Sequence, residues 1–316
     1  MKLVYYYIIV IASSLCVTGI AGWVIKKGLH KSGVHFYDKM NSAAATKNKT
    51  EIILAGSSRT LYHLNPKIID SITGLNSFNY GLNMASIKTC YNVIRFAIQH
   101  QPFAKLVILN IDYSMFGVEK DPYKDAYYYP YENDTTAFII EDTGKTSTLH
   151  RLKLFDISLY DDYVKYAGID GFVRPGRNEP GEYKGFLPHN DLTDFAAFGF
   201  NNHYKHNAPV SEKGFQLLIK IIDLCRQNNK QLILVQAPYA NSYFPAKSFD
   251  NFYQIINKTD SIAQQNNIPF FKYTNLPIAN DNGYFYNSNH LNIKGANIYS
   301  KILADDINKY FKGIKK

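Results

Sequence analysis

Two short stretches, far apart in the chain, carry the residue types that acyl chemistry needs. Gly56-Ser57-Ser58-Arg59-Thr60 follows directly on the apolar run at 51–55. Asn287-Ser288-Asn289-His290-Leu291-Asn292 stands near the other end, ahead of Gly295-Ala296. A serine hydroxyl is a weak nucleophile at neutral pH and needs a base within about 2.6–3.2 Å, most often a histidine. Ser58 is therefore the candidate nucleophile and His290 the candidate base. Small residues at a strand end also serve as plain turns, and loop histidines as ordinary hydrogen-bonding groups. The pair gains meaning only if the fold closes the long gap in sequence between them.

The elements that would close it are legible in the hydrophobic pattern. The runs at 51–55, 105–111, Gln231–Gln236 and 268–273 are short and rich in Val, Ile, Leu and Phe, as buried parallel strands are. Between and after them come stripes at helical period. Ile87, Cys90, Tyr91, Ile94 and Ile98 form one, and Phe215, Leu218, Ile219 and Ile222 another. Phe252, Ile255, Ile256 and Ala263 form a third, and Tyr299, Leu303, Ile307 and Tyr310 a closing one. Strand–helix alternation implies an α/β fold, a mainly parallel sheet covered on both faces. Its ligands are expected beyond the carboxyl ends of the strands, so the functional loops should follow Ala55, Tyr80, Ile111, Gln236 and Tyr273. In such a sheet the loop after the last strand can return His290 toward Ser58. Between about 113 and 210 the pattern breaks into a Tyr-, Asp-, Gly- and Pro-rich stretch too long for a simple connection, an insertion or cap.

From Leu3 to Val24 no charged residue occurs, enough helix to cross a hydrocarbon core of about 30 Å. Residues 1–27 read as an uncleaved transmembrane signal anchor and 28–49 as a linker, leaving 50–316 as the folded domain. A cleavable signal peptide competes, through Gly19-Ile20-Ala21, and a buried helix is the third alternative. Lys26, Lys27, Lys31 and Lys39 outnumber Lys2 and by the positive-inside rule hold the domain in the cytoplasm, although large domains translocate despite such charge. The expectation is a single-pass protein of the cytoplasmic membrane with its domain outside.

The chain has 316 residues, 46% of them hydrophobic, and 35 basic against 26 acidic side chains for a net charge of +9. The basic residues are scattered, without a recognition helix or aromatic RNA-binding motif, which speaks against nucleic acid as a partner. The three cysteines form neither a disulfide framework nor a zinc spacing. The histidines His189, His203 and His206 lack metal-ligand spacing. No cofactor or metal is expected.

Taken together, Gly56-Ser57-Ser58 and Asn287-Ser288-Asn289-His290, with His-Leu-Asn and Gly-Ala in the last block, resemble the SGNH (GDSL-like) hydrolase superfamily. The membrane-anchored branch, similar to D-alanyl transfer proteins and alginate O-acetyltransferases, is the nearer likeness. The resemblance runs from about residue 51 to the end, apart from the insertion. It implies a three-layer sandwich with a flavodoxin-like sheet and a serine-dependent carbohydrate esterase or O-acyltransferase. The substrate would be an acyl donor or a polysaccharide of the cell envelope, with a multispanning membrane acyltransferase as partner. It also implies an oxyanion hole from the backbone amides of Ser58 and Gly81, the latter in Asn79-Tyr80-Gly81-Leu82-Asn83. The family's asparagine donor is matched imperfectly by Asn83 or by Asn110 in Asn110-Ile111-Asp112.

One departure is chemical. The family's last block reads Asp-x-x-His, and Asn287 stands where the aspartate orients the histidine and stabilises its imidazolium. In a serine protease the same Asp-to-Asn change lowers kcat by about 10⁴. Asp281 is the alternative acid, at a different offset from His290. A Ser–His dyad, a triad with an unusual acid, and an inactive glycan-binding or assembly protein all follow from these residues. Arg59 is a candidate for binding an anionic substrate group, or else an exposed arginine at a helix start. Tyr123, Tyr127, Tyr128, Tyr129 and Tyr131 offer faces for sugar rings, or pack the cap through their large area and polar tip.

Overall fold

The computed structural model of the chain describes residues 2–45, 49–117, 123, 125–131, 157, 160–177, 182–190, 210–241, 250–287 and 289–310. His203, His206, Ser288 and the terminal lysine pair lie outside these. The chain forms two compact units, Met1–Asn41 with Tyr123–Glu179, and Ser42–Pro122 with Pro180–Lys316.

In the first unit, α1 (Lys2–Leu29) is a single helix, long and apolar enough to cross a membrane. The segment expected as a tether holds structure instead. α2 (His35–Ala44) follows after a short turn, with Phe36, Tyr37 and Met40 buried. The Asn41 side-chain amide donates to the carbonyls of Leu29 (2.9 Å) and Ser32 (3.0 Å). The polar composition that reads as a linker thus hides two aromatic anchors and an asparagine that ties down a helix end. Around Phe36 and Tyr37 gather the tyrosines of the 3₁₀ segment Asp125–Tyr131. Phe36 meets Tyr128 edge-on at 5.0 Å, Tyr37 stacks on Tyr131 at 6.3 Å, and Tyr127 stacks on Tyr163 at 5.3 Å. Tyr127, Tyr128 and Tyr131 are buried, so they pack a core; the Tyr129 side chain lies outside the description. α6 (Asp162–Val173), capped by the Asp161 side chain, completes this unit.

The second unit holds a five-stranded, all-parallel sheet in the order β2-β1-β3-β4-β5. Its strands are β1 (Ile52–Ala55), β2 (Ser77–Asn79), β3 (Leu106–Asn110), β4 (Gln231–Gln236) and β5 (Phe270–Lys272). This is the flavodoxin-type doubly wound order, whose switch point lies between β1 and β3. The pleat sends alternate residues to opposite faces. Ile52, Leu54, Leu106, Ile108, Ile233 and Val235 pack with Ile69 of α4 (Pro66–Thr73) and Tyr299, Leu303 and Ile307 of α9 (Ile293–Tyr310). The alternate set, Ile53, Val107, Leu109 and Leu234, is equally buried on the side of α5 (Ile87–His100) and α7 (Glu212–Gln227). α8 (Asp250–Gln265) precedes β5. Helices on both faces leave one open place for chemistry, the carboxyl edge of the strands. A small antiparallel hairpin, β6 (Phe285–Asn287) and β7 (His290–Leu291), sits between β5 and α9; the sequence pattern did not disclose it.

Candidate active site

The turn after β1 is built around a residue that must lack a side chain. Gly56 has φ +149°, and a Cβ there would stand 2.1 Å from Thr60 Oγ1 and 3.0 Å from the Asn110 carbonyl. Past it, Ser57 caps the four-residue helix α3 (Ser58–Leu61) and donates its hydroxyl to Asp112 Oδ2 at 3.0 Å. The Thr60 hydroxyl donates back to the Ala55 carbonyl at 3.1 Å. Ser58 is thereby fixed at the head of the turn, and its own amide donates to no partner among the described residues.

The second half of the site comes from the hairpin. Asn287 Oδ1 accepts from the backbone amides of Asn289 (3.1 Å) and His290 (2.9 Å), a tight side-chain-closed turn. The Leu291 amide donates to Nε2 of His63 at 3.0 Å. Asn292 Oδ1 accepts from Lys294 and Gly295 and so caps α9, while its amide donates to the Gly283 carbonyl at 2.9 Å. Gly295 is forced by proximity: a Cβ would lie 2.2 Å from the Tyr284 carbonyl oxygen. Asn287 and Asn292 thus shape the loop that presents His290. Its Nε2 stands 2.8 Å from Ser58 Oγ, across 232 residues of sequence.

Aromatic side chains stand beside this pair. His189 lies between Tyr62 (ring centroids 4.0 Å) and Tyr286 (3.9 Å, 7° between planes), and Tyr62 meets His290 edge-on at 5.3 Å. Burial pushes His290 down to about 3, helped by His189 and Arg59 and opposed by Asp112. Burial also takes His189 down to about 4, and His63, fully enclosed near Arg59, well below the usual histidine range. All three rings are neutral at pH 7, so His290 is free to accept a proton.

Several expected roles move. Asn287 makes no hydrogen bond to the imidazole among the described residues: its oxygen is committed to the turn, and Nδ1 of His290 has no partner among them. Asp281 is exposed and caps the 3₁₀ turn Asn282–Tyr284. The Gly81 amide donates to Asn79 Oδ1 at 2.9 Å, and the Asn79 amide reaches the carbonyls of Thr60 (2.7 Å) and Leu64 (2.8 Å). Gly81 thus gives up its donor to an asparagine that locks β2 to α3. Its missing side chain serves packing, since a Cβ would sit 2.4 Å from the Leu61 nitrogen. Asn83 is exposed on the following loop, and Asn110 Oδ1 accepts from the Ala237 amide at 3.1 Å.

Arg59 is neither exposed nor open to substrate. It is 1% exposed; Nη2 donates to the carbonyls of Ala237 (2.5 Å) and Pro238 (2.8 Å), and the guanidinium lies 3.3 Å over the Tyr239 ring. The arginine bolts α3 to the end of β4. Asp112, held by Ser57, the Ser114 amide and Tyr239, is the carboxylate whose charge works against the lowering of His290, through space. Sequence reading passed over His63 and the partnership of Ser57 with Asp112. His63 was within reach, since it follows the serine by little more than one helical turn; Asp112 was not, because only the sheet brings β3 beside β1. Among the described residues no group of three or more His, Cys, Asp or Glu side chains is placed to hold a metal.

No family model matches the chain, and no curated protein matches it. Solved structures similar to it include one from Streptococcus pneumonia described as a platelet activating factor (10% identity, TM-score 0.45, covering 94% of this chain and 98% of that one). Others are a lipolytic protein of the G-D-S-L family from Desulfitobacterium hafniense (11%, 0.43, 81% and 99%) and a GDSL-like lipase from Bacteroides thetaiotaomicron (14%, 0.42, 87% and 97%). At this identity and superposition the likeness assigns no chemistry, and the site stands on its own geometry.

Proposed function

We propose that this chain is an SGNH-type serine esterase or O-acyltransferase, anchored in the membrane by α1. The 2.8 Å contact between His290 Nε2 and Ser58 Oγ carries this reading. As Oγ attacks the acyl carbonyl, its proton passes to Nε2 and the carbonyl oxygen turns toward the Ser58 amide. The alcohol leaves with the proton from His290, and Ser58 holds the acyl group as an ester. An incoming hydroxyl, losing its proton to Nε2, then takes the acyl group and regenerates Ser58. With water the outcome is hydrolysis; with a sugar hydroxyl it is O-acylation. We favour an acylated cell-envelope polysaccharide as substrate, a multispanning membrane acyltransferase as donor partner and an extracytoplasmic domain, supported by the anchor and the block resemblance. Asn83 is retained as an oxyanion donor by position alone.

The test is acetyl release from p-nitrophenyl acetate and from an O-acetylated glycan, with Ser58→Ala and His290→Ala as controls. Activity that survives both substitutions removes the dyad. A second reading, a glycan-binding protein without turnover, is favoured by His290 Nδ1 having no hydrogen-bond partner among the described residues. Covalent labelling of Ser58 by a fluorophosphonate excludes it.

A further inference from the structure

Helix α6 of the first unit is built inside out for a helix in water. A surface helix of a soluble domain turns its large apolar residues inward and its polar residues outward. The covered side of α6 instead carries Ala167, Gly168 and Gly171, with Val164 and Asp170. There its backbone touches that of α1: a Cβ on Gly28 would lie 1.7 Å from the Gly168 carbonyl oxygen, and one on Gly171 2.2 Å from the Gly28 oxygen. Glycines inside a helix weaken it relative to alanine. Close packing through small residues, as between membrane helices, is what offsets it. The large apolar side chains point the other way. Tyr166, Ile169, Phe172 and Val173 are 58%, 54%, 44% and 69% exposed, and their spacing of three, three and one puts them on one stripe, bordered at its N-terminal end by the Lys165–Asp162 ion pair. Single exposed hydrophobics are ordinary, but a contiguous stripe marks a contact surface.

What covers the stripe follows from its neighbour. Trp23, 57% exposed, meets Phe172 edge-on at 6.3 Å. It closes the apolar part of α1, whose side chains from Leu3 to Val17 are exposed all round. Tryptophan is favoured at the membrane–water boundary. Just beyond it stand exposed cations, Lys26, Lys27 and Lys31 of the α1 end and Arg177 after α6, suited to lipid phosphates, while Arg174 pairs with Asp170. The 12 residues of α6 reach about 18 Å and cannot cross a core of about 30 Å. We infer that α6 lies in the membrane interface beside the exit of α1, its stripe of Tyr166, Ile169, Phe172 and Val173 set into the headgroup–acyl boundary of a phospholipid bilayer. This rests on the reading of α1 as the membrane-spanning anchor.

The full chain, reconstituted in phosphatidylcholine–phosphatidylglycerol vesicles, carries an environment-sensitive fluorophore on one cysteine at a time. Native Cys16 is exposed on α1, while Cys90 and Cys225 are buried, so the wild type reports on the anchor alone. In a Cys16→Ala background, Ile169→Cys and Val173→Cys report on α6, and Lys301→Cys gives an aqueous reference. The labels at Cys16, 169 and 173 should be quenched severalfold more by nitroxide-bearing lipid than the one at 301, and be shielded from iodide. Lipid quenching at Cys16 with iodide quenching at 169 and 173 leaves the anchor standing and overturns the interfacial helix. Shielding of 169 and 173 from both quenchers also overturns it, since a protein surface would then cover the stripe. Iodide quenching at Cys16 removes the anchor and the inference together.

Discussion

The serine turn and the histidine loop meet at 2.8 Å, yet they are built to different standards. Around Ser58, Ser57, Arg59 and Thr60 are at most 2% exposed, each bonded to a different strand end: Asp112 after β3, Ala237 after β4, Ala55 of β1. The histidine is aimed by an asparagine-centred turn, the bond from the Leu291 amide to His63 and the Asn292 cap, all in or beside a partly exposed hairpin, and its Nδ1 has no hydrogen-bond partner among the described residues. The nucleophile is held by the sheet as a whole; the base is positioned by its own loop and receives only the through-space charge of Asp112. A site of this kind should be well ordered and slow, because burial keeps His290 neutral and the charge of Asp112 only partly offsets that burial for its imidazolium.

The largest effect should come from breaking the meeting itself. Ser58→Ala or His290→Ala should lower kcat of ester cleavage roughly a thousandfold, and the double variant little further, because the two act as a unit. Next is the serine side's anchoring. Arg59→Ala opens a cavity and strips two buried carbonyls, so it should cost roughly 3 kcal/mol in urea unfolding. Gly81→Ala forces a Cβ against the Leu61 nitrogen and should cost about 1–3 kcal/mol, while an oxyanion role alone would leave stability unchanged.

The pH dependence separates the two sides further. With His290 at about 3, the proton-accepting form persists far below neutrality. kcat/KM should therefore stay level from about pH 8 to pH 5, without the fall near 6.5 of an ordinary histidine. Stability moves oppositely. Unfolded histidines bind protons below about 6.5 and the buried folded ones do not, so stability is full above that value. It falls as pH drops toward the folded values, by about 1.4 kcal/mol per pH unit for each fully buried ring. Thermal melts at pH 7, 6 and 5 read this directly. The smallest effect is expected for Asn287→Asp, under about threefold in kcat, because the new oxygen inherits the turn amides rather than Nδ1. A gain of a hundredfold would show that the acid can reach the ring and would break the contrast.

The sequence by itself determined the layered α/β plan, the long apolar N-terminal helix and the two residues to be paired. Those features are local: buried parallel strands are apolar runs of fixed length, amphipathic helices repeat at 3.6, and a serine after a glycine at a strand end has one natural neighbourhood. Sequence left open whether the tyrosines at 123–131 were a sugar platform or packing, and it read a buried arginine as a surface one. It also placed Gly81 in an oxyanion hole and residues 28–49 in a tether. Only the tertiary structure decided these. Whether Arg59 faces water depends on the end of β4, 178 residues on. Whether the Gly81 amide is open depends on the rotamer of Asn79, and which carboxylate's charge reaches His290 depends on β3 lying beside β1. Residue type fixes what a group can do; what it does is set by partners that sequence distance hides and packing supplies.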